Sequence, residues 1–232
     1  MSKETCIPDL PPYAGDTVQD HCYRRLRHAV MLGLIAPGTQ LTLRGLAEQM
    51  KLSPTPIREA VRRLSSERGI EVLGNRRLQI PQMTAGRFEE LIALRVMLET
   101  HAALRALPHI TDRQIDQMEA LDREMDLAIQ RQDLDELTRL NQVFHRMLYC
   151  ANPDHAAQPM IESLWLQLGP FQRHVLGGIT DHYKIDRHKE MLAALRARAS
   201  EALSTALRAD ITDGSIRVGR RALGLPETGP TS

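Results

Sequence analysis

The sequence predicts a mainly α-helical protein with two parts, in which short helices and a hairpin precede a bundle of longer antiparallel helices. Of the 232 residues, 42% are apolar but only 3% are aromatic, a balance that suits helix-on-helix packing better than a large sheet. Apolar side chains recur every three or four residues through most of the chain after Thr17, which is the spacing of one helix face. The length allows two domains, each with its own core.

The N-terminal segment shows no such spacing before Thr17. Residues 1–15 contain three prolines and no helical periodicity, which predicts a disordered arm. A helix is then predicted from Thr17 to Ile35. It ends at Pro37-Gly38, because proline cannot continue a helix and glycine permits a left-handed turn.

The next residues predict two short helices joined by a tight connection. Leu41–Met50 is amphipathic, and the helix after it has Ser53 as a favoured N-cap and Pro54 as a favoured first residue. This pair predicts a helix-turn-helix, whose second helix enters the major groove of DNA. Apolar residues form one stripe of that helix, and the basic residues off the stripe remain available to a partner: Arg58, Arg62 and Arg63.

A β-hairpin is predicted to follow. Two short apolar runs, Ile70–Leu73 and Leu78–Ile80, flank a turn with a basic tip, which completes a winged helix-turn-helix over residues 16–82. Between Thr17 and Gln82, eleven basic residues face five acidic ones, so this part carries +6 while the whole chain carries only +1. A basic module joined to an acidic remainder is typical of a protein that binds double-stranded DNA through one domain.

Residues 83–223 predict six helices with short connections, which favours an antiparallel bundle, and residues 224–232 form a polar tail. The predicted helices are Thr84–Leu107, Thr111–Ile129, Asp133–Leu148, Ala156–Leu176, Asp181–Arg198 and Ser200–Leu223.

Several classes of protein are disfavoured. The longest apolar run, Ala29 to Ala36, is too short to cross a bilayer, which takes about 20 residues, and no charged-then-apolar leader opens the chain. The three cysteines are odd in number and scattered, which is typical of free thiols. We therefore expect a cytoplasmic protein without a membrane partner.

Specific motifs resemble a known family. Tyr23, Leu26-Arg27, Pro37-Gly38, Leu41, Leu46-Ala47 and the segment Ser53-x-Thr-Pro-Ile-Arg-Glu-Ala60 together resemble the GntR family of bacterial transcriptional regulators. The later segments Glu89-Glu90-Leu-Ile-Ala-Leu-Arg95-x-x-Leu-Glu99, Asn141-x-x-Phe-His145 and His188-x-x-Met-Leu-x-Ala-Leu resemble the FCD effector domain of the FadR-type subfamily. The resemblance implies a homodimer on a palindromic operator, with effector binding and dimerisation by residues 83–223. It implies DNA contacts at six positions: Arg44, Ser53, Thr55, Arg58, Asn75 and Arg76.

The same resemblance implies a divalent metal, such as zinc, nickel or manganese, held by Asn141, His145, His188 and Asp210. Asp210 departs from the family, which usually has histidine there. From the residues alone, two interpretations stay open, because an inward-facing histidine is also typical of a hydrogen-bonded core, and Asp210 is equally suited to capping a helix or pairing with an arginine. Arg95 is predicted to bind an effector carboxylate, and an ion pair with Glu99 is the alternative.

The predicted function is a bacterial DNA-binding transcriptional repressor, not an enzyme, whose DNA affinity is controlled by a small organic acid. One alternative is a metal-dependent helical-bundle enzyme fused to a DNA-binding module. The chain has no Glu-x-x-His pair on each of two helices, glycine-rich phosphate loop or nucleophile elbow to support it. The other alternative is an architectural protein that binds DNA without sequence preference.

Overall fold

The computed structural model describes residues 7–74, 77–175, 187–213 and 217–226. The chain divides into two compact units, one of Met1–Met83 with Trp165–His174 and one of Thr84–Leu164 with Val175–Ser232.

The first unit consists of short helices and a small sheet. Helix α1 spans Val18–Met31, strand β1 Gln40–Leu41, α2 Leu43–Met50, α3 Pro54–Ser66, β2 Glu71–Val72 and β3 Leu78–Gln79. The strands are antiparallel in the order β1-β3-β2, and Leu78 pairs with both Leu41 and Val72. The predicted two-stranded wing therefore gains a third strand, because Leu41 belongs to β1 and not to the helix that the sequence predicts from it.

Helix α1 begins where the sequence predicts but ends early. The Thr17 hydroxyl accepts from the backbone N–H of Asp20 and caps its first turn. The helix stops at Met31, four residues before the predicted end, and Gly33 then adopts a left-handed conformation with φ of 69°. Its apolar face packs against α3 and forms the core of this unit with Cys22, Leu26, Ala29, Val30, Ile57, Ala60, Val61 and Leu64.

Part of the predicted N-terminal arm contacts α1. Residues 7–15 have no regular secondary structure, but the guanidinium of Arg25 donates to the carbonyl of Pro8 at 3.0 Å. Arg24 donates to the carbonyl of Pro11 at 3.0 Å, and the Ile7 side chain is buried. These contacts hold residues 7–11 against the helix.

The second unit is a helical bundle, as predicted. Helix α4 spans Ala85–Ala106, α5 Asp112–Gln130, α6 Leu134–Tyr149, α7 Gln158–Val175, α8 His188–Arg196, α9 Ser200–Ile211 and α10 Arg217–Ala222. The side chains of Thr84, Thr111 and Asp133 cap α4, α5 and α6 at the predicted starts.

Three boundaries in the bundle differ from the prediction. The last predicted helix, Ser200–Leu223, contains α9 and α10, and residues 214–216 between them lie outside the described residues. Helix α8 begins at His188, and the predicted start at Asp181 lies outside the described residues. Helix α7 belongs to both units, since Trp165–His174 clusters with the first unit and the residues up to Leu164 with the second. The sequence predicts the whole helix in the bundle.

Two further expectations concern the thiols and the membrane. Cys22 and Cys150 are free, and burial raises the pKa of Cys22 to about 11; Cys6 lies outside the described residues. None of the helices in the described part of the chain combines the length and apolarity needed to cross a membrane.

Candidate DNA-binding surface and metal centre

The start of α3 presents three of the six predicted DNA-binding residues to solvent. Ser53 occupies the N-cap position, but its hydroxyl makes no capping hydrogen bond. Thr55 and Arg58 are exposed on the first turns, while Ile57 is buried beneath them. Because backbone N–H groups at a helix start attract phosphate, this end of α3 is suited to meet DNA.

A cleft of about 490 Å³ joins α2 to α3 and brings three cationic side chains to one surface, those of Arg44, Lys51 and Arg58. Arg44 is 89% exposed and bonds to Glu48 on its own helix at 2.8 Å. Asn75 and Arg76, the predicted wing-tip contacts, lie outside the described residues.

The other arginines of α3 are engaged within the protein. Arg63 bonds to Asp20 at 2.9 Å and stacks over the ring of Tyr23, 3.7 Å from its centroid. Arg62 bonds to Glu59 of the same helix at 2.6 Å. Arg58 forms no ion pair with any described residue, so of these arginines it is the one left to bind a partner.

In the bundle, three of the four predicted metal ligands converge from α6, α8 and α9. His145 Nε2 lies 3.3 Å from Asp210 Oδ2, and His188 Nε2 lies 3.8 Å from Asp210 Oδ1. Candidate ligand atoms of all three residues lie within 4.8 Å of one another. The fourth predicted ligand, Asn141, places its amide 3.3 Å from His188 Nε2.

Each imidazole is held at its other nitrogen. Tyr149 lies behind His145, with its oxygen 3.2 Å from Nδ1, and Asp122 lies behind His188, with Oδ1 3.3 Å from Nδ1. Burial and the neighbouring Glu99 carboxylate raise the pKa of Tyr149 well above its ordinary value, and its hydroxyl donates to Glu99 at 2.8 Å.

These partners assign the tautomer of both rings. Since the Tyr149 proton points to Glu99, its oxygen can only accept from His145, so Nδ1 of His145 carries a proton. The Asp122 carboxylate, 3.3 Å from Nδ1 of His188, favours a proton on that nitrogen in the same way. With Nδ1 held in this way, Nε2 of each ring faces Asp210, and a metal would bind these Nε2 atoms in their unprotonated form, as it does in most metal-binding histidines.

Asp210 is suited to complete this set as an anion. Burial raises the pKa of Asp210, but the hydrogen bond with His145 and the electrostatic influence of the nearby His145, His188 and Arg95 side chains lower it more, so that it stands below its ordinary value. Asp210 therefore carries a negative charge at neutral pH.

The three groups fit a divalent metal. Two ligands at about 2.0–2.1 Å from a tetrahedral zinc are roughly 3.4 Å apart, and His145 Nε2 and Asp210 Oδ2 are 3.3 Å apart. Two imidazoles with carboxylate and amide oxygens also suit nickel and manganese. The alternative of a hydrogen-bonded core accounts for the same positions if the Nε2–H groups donate to Asp210, so metal analysis is the measurement that separates the two.

Arg95 lies behind this cluster and is paired with Glu99. Its Nε donates to Glu99 Oε1 at 2.6 Å, and both side chains are buried. This is the ion pair that the sequence left as the alternative. An effector carboxylate reaches Arg95 only if that pair opens, so the predicted effector contact stays a prediction.

The sequence did not single out Asp122 or Tyr149. Tyr149 follows His145 by four residues and so shares its helix face, a signal that was present in the sequence. Asp122 takes one of the helically spaced buried positions of α5, between Met118 and Met125. A carboxylate among apolar neighbours indicates that a hydrogen-bonding or charged partner is buried with it, but it does not identify that partner.

With the geometry described, comparison with known proteins decides the family. The model of the FCD domain matches residues 90–213, more than half of the chain, and that of the bacterial regulatory proteins of the gntR family matches residues 18–80. The chain belongs to the GntR family and carries an FCD domain. This GntR regulator is therefore a DNA-binding transcriptional regulator, as its sequence predicts.

Similar proteins agree with this assignment. The HTH-type transcriptional regulator McbR of Escherichia coli is 27% identical over 179 residues, which cover 76% of this chain and 81% of McbR. The HTH-type transcriptional repressor RspR of E. coli is 26% identical over 208 residues, 89% of either chain. The solved structure of E. coli McbR/YncC superposes with a TM-score of 0.83 at 25% identity, covering 89% of this chain and 99% of that one.

Proposed function

We propose that this GntR regulator is a dimeric repressor in the cytoplasm, which binds a palindromic operator and is controlled by a small organic acid bound at a metal in its FCD domain. The observation that carries the effector half is the convergence of His145, His188 and Asp210 inside the bundle. Two relatives support the sign of regulation by their names, RspR and the gluconate operon transcriptional repressor of Bacillus subtilis, which is 28% identical over 145 residues.

The metal would be held by Nε2 of both histidines, a carboxylate oxygen of Asp210 and the amide oxygen of Asn141. When bound, it would supply a Lewis-acidic centre that attracts the carboxylate and hydroxyl oxygens of an acid. Tyr149 and Asp122 keep the histidines oriented, and Phe144 stacks against His188 at 4.3 Å between ring centroids and limits rotation of that ring. The name of the gluconate operon repressor makes sugar acids the first acids to test.

On the DNA side, Arg58, Thr55 and Ser53 at the start of α3 would contact the major groove, with Arg44 placed beside them. The protein would adopt two conformations that differ in DNA affinity, and the acid would bind one of them better than the other. Its effect on DNA affinity is then limited to that difference in binding free energy.

The test begins with elemental analysis of the purified full-length protein, followed by melting curves with sugar acids in the presence and absence of zinc, nickel or manganese. We expect a bound metal, and at a metal concentration about 100 times the dissociation constant a stabilisation of about 2.7 kcal/mol. A further rise in melting temperature should come from an acid only when metal is present. His145→Ala should abolish metal binding and the acid-dependent rise in melting temperature. His109→Ala, at an exposed position, should abolish neither of these two effects. An acid response that persists in His145→Ala would refute the metal as its binding site.

A further inference from the structure

Two of the four proposed metal ligands lie at the ends of their helices. His188 is the first residue of α8, and Asp210 is the last but one of α9, whereas Asn141 and His145 lie inside α6. The terminal turns of a helix fray, because part of their backbone groups have no hydrogen-bond partner within the helix. The distance between His188 and Asp210 therefore depends on what fixes these two helix ends.

The start of α8 lacks the usual N-cap. Arg187 occupies the cap position with φ of −94° and ψ of 0°, not in the extended conformation that N-cap residues adopt, and its side chain makes no capping hydrogen bond. Asp122 and Phe144 hold the imidazole of His188, but these contacts orient the ring and not the backbone. The position of the first turn of α8 therefore depends on other tertiary contacts.

The guanidinium of Arg187 supplies such a contact. Its Nε and Nη2 atoms both donate to Oδ2 of Asp213, at 3.2 and 2.9 Å, which we term the Arg187–Asp213 bridge. Asp213 follows Asp210 by three residues, about one helical turn. The third nitrogen, Nη1, donates to Oε1 of Glu190 in the first turn of α8 at 2.6 Å. One side chain thus joins the start of α8 to the end of α9.

The bridge lies on the solvent side of the two ligands. The side chains of Arg187 and Asp213 are 28% and 36% exposed, against 5% for His188 and 17% for Asp210. A partly exposed ion pair adds little to global stability, but this pair connects the two backbone segments that carry metal ligands.

We propose that Arg187 and Asp213 are positioning residues of the metal centre. Their bridge holds the first turn of α8 against the end of α9, so that His188 and Asp210 stay at a distance that one metal ion can span. This inference rests on the proposed metal and adds to it two residues that do not contact the metal themselves.

Charge and position predict opposite effects for Arg187. Arg187→Met removes a positive charge near a divalent metal, so charge alone would strengthen metal binding. Loss of the bridge would weaken it. We expect the zinc affinity of the full-length protein to fall about five- to tenfold, at the low end of the range for residues that bond to a ligand directly. Isothermal titration with zinc measures this change.

Three further variants test whether the two residues act as one pair. Asp213→Ala should weaken zinc binding by a similar factor. The double variant Arg187→Met with Asp213→Ala should lose no more than either single variant, because the same bridge is lost in all three. Arg187→Lys keeps the charge and a donor group, so it should return the zinc affinity to within about twofold of the original.

Arg196→Met is the matched control. Arg196 is the last residue of α8 and pairs with Asp116 of α5, so the same substitution breaks an ion pair at the other end of the same helix. The zinc affinity should stay within about twofold of the original. Melting curves of the metal-free variants check that each protein is folded.

The outcomes separate this inference from the proposed function. A full-length protein that binds neither zinc, nickel nor manganese overturns the proposed metal and the positioning role together. A folded Arg187→Met variant with unchanged or higher zinc affinity overturns the positioning role and leaves the proposed function standing. The same holds if the losses of the two single variants multiply in the double variant, because the residues would then act separately.

Discussion

At the scale of single residues, ion pairing divides the arginines of α3 into two roles. Arg63 is fixed between Asp20 and the ring of Tyr23, so it stabilises the contact between α1 and α3. Arg62 donates two hydrogen bonds to Glu59 on the same helix. Arg58 reaches solvent from the first turns of the recognition helix, where side chains contact base edges.

Arg58→Ala should therefore weaken operator binding by about 1–3 kcal/mol if the guanidinium reads a base. Arg62→Ala serves as the control and should change binding little. Fluorescence anisotropy with operator DNA and with a scrambled duplex measures both. An equal loss on the two duplexes would make Arg58 a phosphate contact, and the slope of log affinity against log salt should then fall by about one.

Asp122 is the residue we expect to tune the proposed metal. Asp122→Asn replaces a carboxylate by a weaker acceptor behind His188, so metal affinity should fall about 10- to 100-fold. Asp126→Asn, on the same helix but half-exposed beside Lys189, should leave it unchanged. Isothermal titration with zinc measures the affinity, and equal affinities for both variants would show that Asp122 is only a packing residue.

At the scale of elements, the second half of α7 fits closely against the N-terminal helices. A Cβ atom on Gly169 would lie 2.2 Å from the carbonyl oxygen of Met31, and one on Gly33 would lie 2.3 Å from Cβ of Arg173. Backbone and Cβ atoms cannot move aside as the end of a long side chain can. These two glycines therefore set how closely α7 approaches the end of α1.

Gly169→Ala should destabilise the protein by about 1–3 kcal/mol through this overlap. Gly86→Ala is the control: Gly86 lies in the first turn of α4 with nothing within 4 Å of its added Cβ, and alanine there should stabilise by about 0.5–1 kcal/mol. Urea unfolding monitored by circular dichroism gives both values. A Gly169 variant as stable as the original would mean that α7 shifts without cost.

At the scale of the whole molecule, the proposed regulation requires that acid and DNA binding affect each other equally. If the acid weakens operator binding by some factor, operator DNA must weaken acid binding by the same factor. Titrating the acid into the metal-loaded protein, alone and with saturating operator, measures one factor, and anisotropy with and without acid measures the other. Two unequal factors would show that the acid acts at another site or on another species, such as the oligomer.

The sequence alone determined the order of the domains, the helical class and most helix starts. Those features depend on local chemistry. The hydroxyl of Thr17, Thr84 and Thr111 and the carboxylate of Asp133 each cap a helix, and such a cap does not depend on the tertiary packing of the rest of the chain. The family motifs likewise placed Asn141, His145 and His188 in order along the chain. Local patterns do not reveal β1, since its two residues become a strand only by pairing with Leu78 from a distant part of the chain.

Only the tertiary structure decided which polar groups face each other. It set Asp122 behind His188, selected the Arg95–Glu99 pair from the two alternatives that the sequence left open, and fixed Arg63 to Asp20 while leaving Arg58 exposed. It also left Leu94, Met97 and Leu104 of α4 exposed while the opposite face of that helix was buried. Partners 43 and 66 residues apart in sequence, as Arg63 is from Asp20 and His188 from Asp122, are chosen by how helices pack. No local spacing encodes that choice, because the packing depends on every helix at once.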